Sequence, residues 1–548
     1  MKASDLFVRC LEVEGVEYVF GVPGEENLDL LESIRASSIE FVLCRHEQHA
    51  AFMAATYGRL TGKAGVCLST LGPGATNLMT GVAYAQLGGM PLVAITGQKP
   101  LFDNEQGNFQ ILDIVGIMEP MTKWARSMVT ARTIPRNVRH AFRLAQDERP
   151  GAVHLELPED VAASHVEAVA EERMAPRRPV PDDKAIHLAL EMLREAKRPM
   201  LLISAGANRK RVGKQLRSFV EKTGCFAVST QMGKGVLPED HPQSLFTLGI
   251  HKRDYVALAI DQADLLVTVG YNIVEYPPAV WNHDKDKRIL HVDYTNAEPD
   301  EFYDPHVSVV GDIGNAFWRF AQEIGDVRYE AGSFAELRTQ IDQLLHASRC
   351  ERQFPILPQQ AVRDVREVMD RRDIISLDNG IYKIWFARLY PAYAENTVLL
   401  DNALATMGAG LAGAMAAKIV HPDRRCLAIC GDGGFMMNSQ DLETAVRLDL
   451  DIKILILRDN AYGFIAWKQQ GHGFPGFRMD LGNPDFVAYA EAYGAKGLRV
   501  ESTEGLRQAL DQAFEHRGPV LIDCPIDYSE NQKLHEDLEA RAAEILRG

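Results

Sequence analysis

The sequence contains no apolar run near the ~18 residues that a membrane-spanning helix needs, so a membrane partner is not expected. It also lacks an excess of positive charge. Lys and Arg number 59 against 75 Asp and Glu, a net charge of −16, which excludes a nucleic-acid footprint and attraction to an anionic lipid surface. Cysteine is sparse, with eight residues scattered through the chain and no zinc-type pairs. Most sit inside apolar runs such as CLAIC, which points to buried, reduced thiols rather than a disulfide framework. No repeat of 20–50 residues is present. The opening MKASDLFVRCLEVEG reads as an amphipathic helix without a signal-peptide core, and with the reduced thiols it predicts a cytoplasmic protein.

What the chain does have is the alternation of α/β folds. At 548 residues, with 46% hydrophobic and 24% charged, it is long enough for three or four domains of ~150 residues. Short β-branched runs (VCLST, LVAIT, MLLIS, LLVTV, CLAIC, ILIL) alternate with helical patterns, the signature of parallel sheets built from β-α-β units. Two Pro/Arg/Glu-rich stretches, EERMAPRRPVPDD and SRCERQFPILPQQ, read as linkers. They divide the chain into three expected doubly wound parallel-sheet domains, 1–165, 185–345 and 358–548. The first and third blocks share strands that end in glycine-rich turns, as if two similar sheets flanked a third.

Gly408, Gly410 and Gly413 in TMGAGLAGAM have the spacing G-x-G-x-x-G of a dinucleotide-binding turn. Such a fingerprint follows directly on a strand, with an acid about 20 residues later. Here the strand TVLL ends at Leu400 and seven residues, DNALATM, intervene. The glycines are better explained by a helix that packs closely at its start, and a nicotinamide oxidoreductase is the least favoured reading.

A stronger site follows in RRCLAICGDGGFMMNSQDLETAVRLDLDIKILILRDNAYGF, a complete β-α-β unit. CLAIC and IKILIL are its parallel strands, GDGG reads as a turn, and Asn438 as the N-cap of the helix SQDLETAVRL. Gly431, Gly433 and Gly434 expose backbone N–H groups near a helix start, a natural seat for phosphate. An acid inside such a turn would repel phosphate unless a cation lies between them, so Asp432 implies a divalent metal, Mg²⁺ by preference. Adjacent parallel strands lie about 4.8 Å apart, which brings Asp459, 27 residues after Asp432, to the same edge as a second ligand.

GDG followed some 27 residues later by a carboxylate or amide resembles the binding motif of thiamine-diphosphate enzymes. FGVPGEENLDLLESI, RHEQHAAFMAATYGRLTGKAGVCLSTLGPGATNL, HLELPEDV, TMGAGLAG and ICGDGGF look like this family, in its order, across essentially the whole chain. Within it the chain resembles the flavin-free, catabolic acetolactate synthases: VGYNIVEYPPAVWN matches that subgroup, and the arginine/aspartate-rich stretch of the flavin enzymes is missing. The resemblance implies a pyrimidine-binding domain, a central domain without a flavin site and a diphosphate-binding domain. It also implies active sites at the interfaces of a homodimer or homotetramer, with thiamine diphosphate and Mg²⁺ but no FAD.

Site residues carry over by motif. Glu47 in RHEQH is similar to the glutamate that hydrogen-bonds the aminopyrimidine ring, and Met407 to the apolar residue that bends the cofactor. Asp432, Asp459 and the carbonyl of Ala461 match the metal ligands. Pro23, Thr70, Asn77, Gly380, Ile381, Tyr382, Gly431, Gly433, Gly434 and Tyr462 match cofactor-binding positions, and Gln110 the glutamine near the substrate. The resemblance thus implies decarboxylation of pyruvate and ligation to a second pyruvate, giving 2-acetolactate and CO₂. A 2-keto acid decarboxylase releasing an aldehyde is the alternative, as is another thiamine-diphosphate carboligase. Decarboxylases present paired histidines where this chain has NEQGNFQ, which favours ligation. Glyoxylate carboligase lacks the glutamate found here as Glu47, and a non-catalytic homologue would not need Glu47, Asp432 and Asp459 together. Phe109 in place of histidine, DNALATMG and AYAQLGGMP depart from the pattern and bear on substrate choice. So does the position of a biosynthetic tryptophan, occupied here by Lys468, with Trp467 one residue and about 100° away on a helix.

Overall fold

The structure is a computed structural model and describes the chain except residues 104, 106, 174–177, 250–253, 348–351 and 532–548. Parts of both expected linkers, of NEQGNFQ and of the third expected domain thus lie outside the described residues.

Three parallel sheets of six strands account for the architecture. The first contains β1 (Tyr18–Gly21), β2 (Glu40–Leu43), β3 (Gly65–Ser69), β4 (Leu92–Gln98), β5 (Trp124–Ser127) and β6 (Ala152–Pro158), in the order β2-β1-β3-β4-β6-β5. The second contains β7 (Pro199–Ile203), β8 (Phe226–Ser229), β9 (Ser244–Thr247), β10 (Leu265–Val269), β11 (Ile289–Asp293) and β12 (Val307–Val310), in the order β12-β11-β10-β7-β8-β9. The third contains β13 (Ile374–Leu377), β14 (Val398–Leu399), β15 (Cys426–Gly431), β16 (Lys453–Arg458), β17 (Lys496–Arg499) and β18 (Val520–Pro525), in the order β14-β13-β15-β16-β18-β17. The outer sheets therefore have one topology and the central sheet another. The helices Asp183–Glu195 and Gly332–Ala347 cross the positions 185 and 345 at which the sequence suggested domain limits.

The apolar runs form strands because helices cover both faces of each sheet, so every position of β3, β4, β6 and β7 is buried. The seven described cysteines are all free and buried. Among the described residues no helix is long and apolar enough to cross a membrane.

The outer sheets meet through two helices rich in small residues, Glu47–Thr61 and Ala409–Val420. Ala50, Ala51 and Ala54 share one core with Leu411, Ala412 and Met415. A Cβ on Gly410 would come within 2.7 Å of Asp378 Cβ, and one on Gly413 would collide with Ser376 Oγ. The glycines of TMGAGLAGAM thus serve close packing, as their sequence context suggests. The seam is polar at one end, where Arg45 N donates to Asp441 Oδ1 (2.8 Å) and His49 Nε2 lies 3.3 Å from Met415 Sδ. The central sheet joins the third through a separate apolar core that includes Phe226, Tyr271, Trp385 and Phe386.

Candidate functional site

The acid-bearing end of the third sheet is built by strand register. Cys430 pairs with Ile456 and Gly431 with Leu457, so β15 and β16 deliver Asp432 and Asp459 side by side. GDGG is not a separate turn: Gly431 ends β15, and Asp432 begins the helix Asp432–Asn438. Asn438 does hold the N-cap position of the next helical stretch, which opens as the 3-10 turn Ser439–Asp441 and continues as a helix from Leu442, but its side chain makes no cap bond there. The small glycine side lets the chain enter a helix without a loop, so Asn438 falls at that helix's end. Its amide instead donates to Gly408 O (3.1 Å).

Asp432 is only 1% exposed. Its Oδ2 accepts from Asn483 Nδ2 (2.6 Å), which also donates to Asn460 Oδ1 (3.0 Å). Its Oδ1 is buried without a partner, an expensive state for a carboxylate oxygen unless a cation or donor meets it. Burial raises the Asp459 pKa, and the facing Asp432 raises it further. Ala461 N donates to Asp459 Oδ1 (3.4 Å). A short antiparallel contact, Ala461 with Asp480, and the bond from Leu481 N to Asn460 O (2.8 Å) lay the 479–483 segment over the pair. Among the described residues no three His, Cys, Asp or Glu side chains converge as a metal group. A cation here would take two carboxylates and complete its shell with backbone and ligand oxygens, a donor set that suits Mg²⁺.

Small residues border this edge. Gly380 lies half-buried ahead of the helix Ile381–Leu389, whereas Ile381 and Tyr382 are 3% exposed. The Tyr382 ring lies under Gly431, where a Cβ would come within 2.9 Å of it, and its hydroxyl is buried without a partner. A Cβ on Gly433 would come within 2.9 Å of the Tyr462 ring and 3.0 Å of Leu481, and Gly434 stands equally close to Asp378.

Met407 is half-buried and precedes Gly408, whose φ of +87° strains any residue with a side chain. Gly408 N donates to Asp378 Oδ1 (2.9 Å) and Oδ2 (3.1 Å). Asp378 is 1% exposed, and burial pushes its pKa up to about 7 against the lowering effect of the Asn379, Gly408 and Ala409 amides.

The first sheet carries a different group. Glu47 is the first residue of its helix and accepts from Asn77 Nδ2 (3.0 Å), which projects from the helix Gly72–Gly88. A Cβ on Gly74 would stand 3.4 Å from Glu47 Oε1. Gln110, at φ +62°, is exposed with its carbonyl beside Gly72, and neighbouring Phe109 is 75% exposed. Pro23 is exposed at the end of β1. Thr70 Oγ1 donates to Glu26, which Lys99 Nζ also meets (2.7 Å). Burial raises the Glu26 pKa, but the Lys99 and Thr70 bonds outweigh it and hold the carboxyl below its usual range. Among the described residues no hydrogen bond joins the Glu47 group to the Asp432 group.

The helix Gly463–Gly471 has no buried residue. Lys468 is exposed, with its Nζ 5.0 Å from the Trp467 ring, which packs on Phe464. Sequence reasoning missed Asp378, Asn483 and the second role of Asn438. Each meets its partner only through tertiary structure, and the one local cue was an acid, Asp378, closing an apolar strand.

Matches to known proteins follow the same division. Residues 1–117 match the model "Thiamine pyrophosphate enzyme, N-terminal TPP binding domain", 186–320 its central domain and 378–524 its C-terminal TPP binding domain. An acetolactate synthase of Bacillus subtilis (strain 168) is 33% identical, covering 98% of this chain and 95% of its own length. A catabolic acetolactate synthase of Raoultella terrigena is 33% identical over 97% and 96%. The acetolactate synthase isozyme 1 large subunit of Escherichia coli (strain K12) is 31% identical over 96% and 94%.

Proposed function

The chain belongs to the thiamine pyrophosphate enzyme family, and from that premise we propose that it is a flavin-free acetolactate synthase. It would join two pyruvate molecules to give 2-acetolactate and CO₂. The observation that carries the site assignment is the pairing of buried Asp432 with half-buried Asp459, with one Asp432 oxygen left unpartnered at the edge of two adjacent strands. Asp432, Asp459 and the Ala461 carbonyl would hold Mg²⁺, and the Gly433 and Gly434 amides would face the diphosphate. Bound thiamine diphosphate supplies a carbon nucleophile and an electron sink for decarboxylation. Glu47, oriented by Asn77, would hold the proton shared with the cofactor's ring nitrogen. Met407 would wedge the cofactor, and Gln110 would lie near the substrate. A site shared between the subunits of a homodimer or homotetramer is part of this reading, as the family resemblance implies.

The support for ligation over simple decarboxylation is the likeness to acetolactate synthases along nearly the whole chain. Purified protein given pyruvate, thiamine diphosphate and Mg²⁺, with no flavin added, should release CO₂ and accumulate acetolactate. Acetaldehyde as the main product would assign a decarboxylase instead, and a requirement for FAD would assign the biosynthetic branch.

A further inference from the structure

The two peptides flanking Gly408 are anchored by residues outside their own segment, the Met407–Gly408 unit through its N–H and the Gly408–Ala409 unit through its C=O. Gly408 N points at both oxygens of Asp378, 2.9 and 3.1 Å away, and Gly408 O accepts from Asn438 Nδ2 at 3.1 Å. The helix Ala409–Val420 has no side-chain cap of its own, since Gly408 occupies the N-cap position. Asp378, arriving from the end of β13, supplies the missing acceptor for the first amides, a capping role normally filled from within the helix's own segment.

The same carboxylate reaches two further elements. Asn379 N donates to its Oδ1 at 2.7 Å, in the lead-in to the helix Ile381–Leu389. A Cβ on Gly434, in the helix Asp432–Asn438, would come within 2.8 Å of its Oδ2. One buried acid thus touches the starts of three helices that border the proposed cofactor site. Its burial costs desolvation, offset by donors arranged around it. A peptide unit is planar, so holding Gly408 N–H also fixes the Cα of Met407.

We propose that Asp378 is a positioning residue for Met407: it fixes the Met407–Gly408 peptide and so the side chain that shapes the bound cofactor. The proposal rests on the reading of Met407 as a cofactor contact. Two measurements test it. In cofactor-free protein, Asp378→Asn keeps the shape of the side chain but turns one acceptor into a donor facing Gly408 N–H. Amide hydrogen exchange should then speed up in the 401–410 segment while the β4–β6 region stays unchanged.

In the loaded enzyme, a cycle of Asp378→Asn, Met407→Ala and the double variant separates an effect through Met407 from a general one. Asp378→Asn should lower kcat about tenfold with KM for pyruvate within about twofold, and the double variant should match Met407→Ala within about twofold. Losses that multiply in the double variant, or unchanged exchange at 401–410, overturn the proposal. Full activity in Met407→Ala overturns the reading of Met407 and the proposal together, whereas full activity in Asp378→Asn alone removes only the proposal. If Asp378→Asn does not fold, Asp378→Ser, which keeps one acceptor, carries the same cycle.

Discussion

The first and third sheets share one strand order, β2-β1-β3-β4-β6-β5 against β14-β13-β15-β16-β18-β17, yet their carboxyl edges are chemically unlike. In the first, the acid Glu47 starts the helix after the second strand and meets a neutral amide, Asn77. The helix after the third strand starts Gly72-Pro73, with no acid in its first turn. In the third, the acid Asp432 starts the helix after the third strand and faces a second acid from the fourth. One carboxylate beside an amide suits a proton held for a ring nitrogen. Two carboxylates with an unpartnered oxygen suit a cation. Topology supplied the edge in both cases, and the helix start that carries the acid decided what the edge can bind.

The difference between the two edges can be broken most sharply at the third. Asp432→Ala should weaken thiamine diphosphate binding at millimolar Mg²⁺ more than about 100-fold, beyond the 10–100-fold typical of losing an outer partner of a metal ligand. EDTA dialysis should release the cofactor from the unaltered protein. A titration of intrinsic fluorescence reads both, and retention of the cofactor by Asp432→Ala would move the metal site elsewhere.

At the first edge the loss should fall on turnover instead. Glu47→Gln keeps size and fold, so cofactor binding should persist while kcat drops about 10²–10⁴-fold, or about 3–5 kcal/mol of barrier. If Glu47→Gln instead released the cofactor and kept its rate per bound cofactor, the two edges would not differ as argued.

The smallest expected effect lies in the seam between them. Gly413→Ala places a methyl against Ser376 Oγ, and overpacking of this kind costs about 1–3 kcal/mol. The unfolding midpoint in urea should fall, with the ratio of acetolactate to acetaldehyde unchanged. A shift in that ratio would show that the seam sets chemistry as well as stability.

Much of the fold was legible. Continuous apolar runs bounded by glycine turns name strands of parallel sheets directly, because a strand covered on both faces has no polar positions to alternate. The resemblance between the outer blocks was visible in the same runs, and the packing role of Gly410 and Gly413 followed from their alanine-rich surroundings. The failures were local. GDGG reads as a turn because glycines usually mark one, but here they let β15 pass straight into a helix, and Asn438, at its expected N-cap position, turns its side chain to Gly408 O instead of to the helix. Asn483, 51 residues from Asp432, carries no sequence signal because its bond depends on the 479–483 segment folding back.

By itself the sequence determined three parallel α/β blocks, the acids Asp432 and Asp459 just past the ends of apolar strands, and membership of the thiamine pyrophosphate enzyme family. These are properties of periodicity and local residue type, which survive in one dimension. Only the tertiary structure decided that Asp432 and Asp459 would share an edge with one oxygen unsatisfied, that Glu47 would pair with Asn77, and that Asp378 would cap a helix from another strand. A parallel sheet joins strands through long crossovers, so the partners of its edge residues lie tens of residues away and become neighbours only when the register is set.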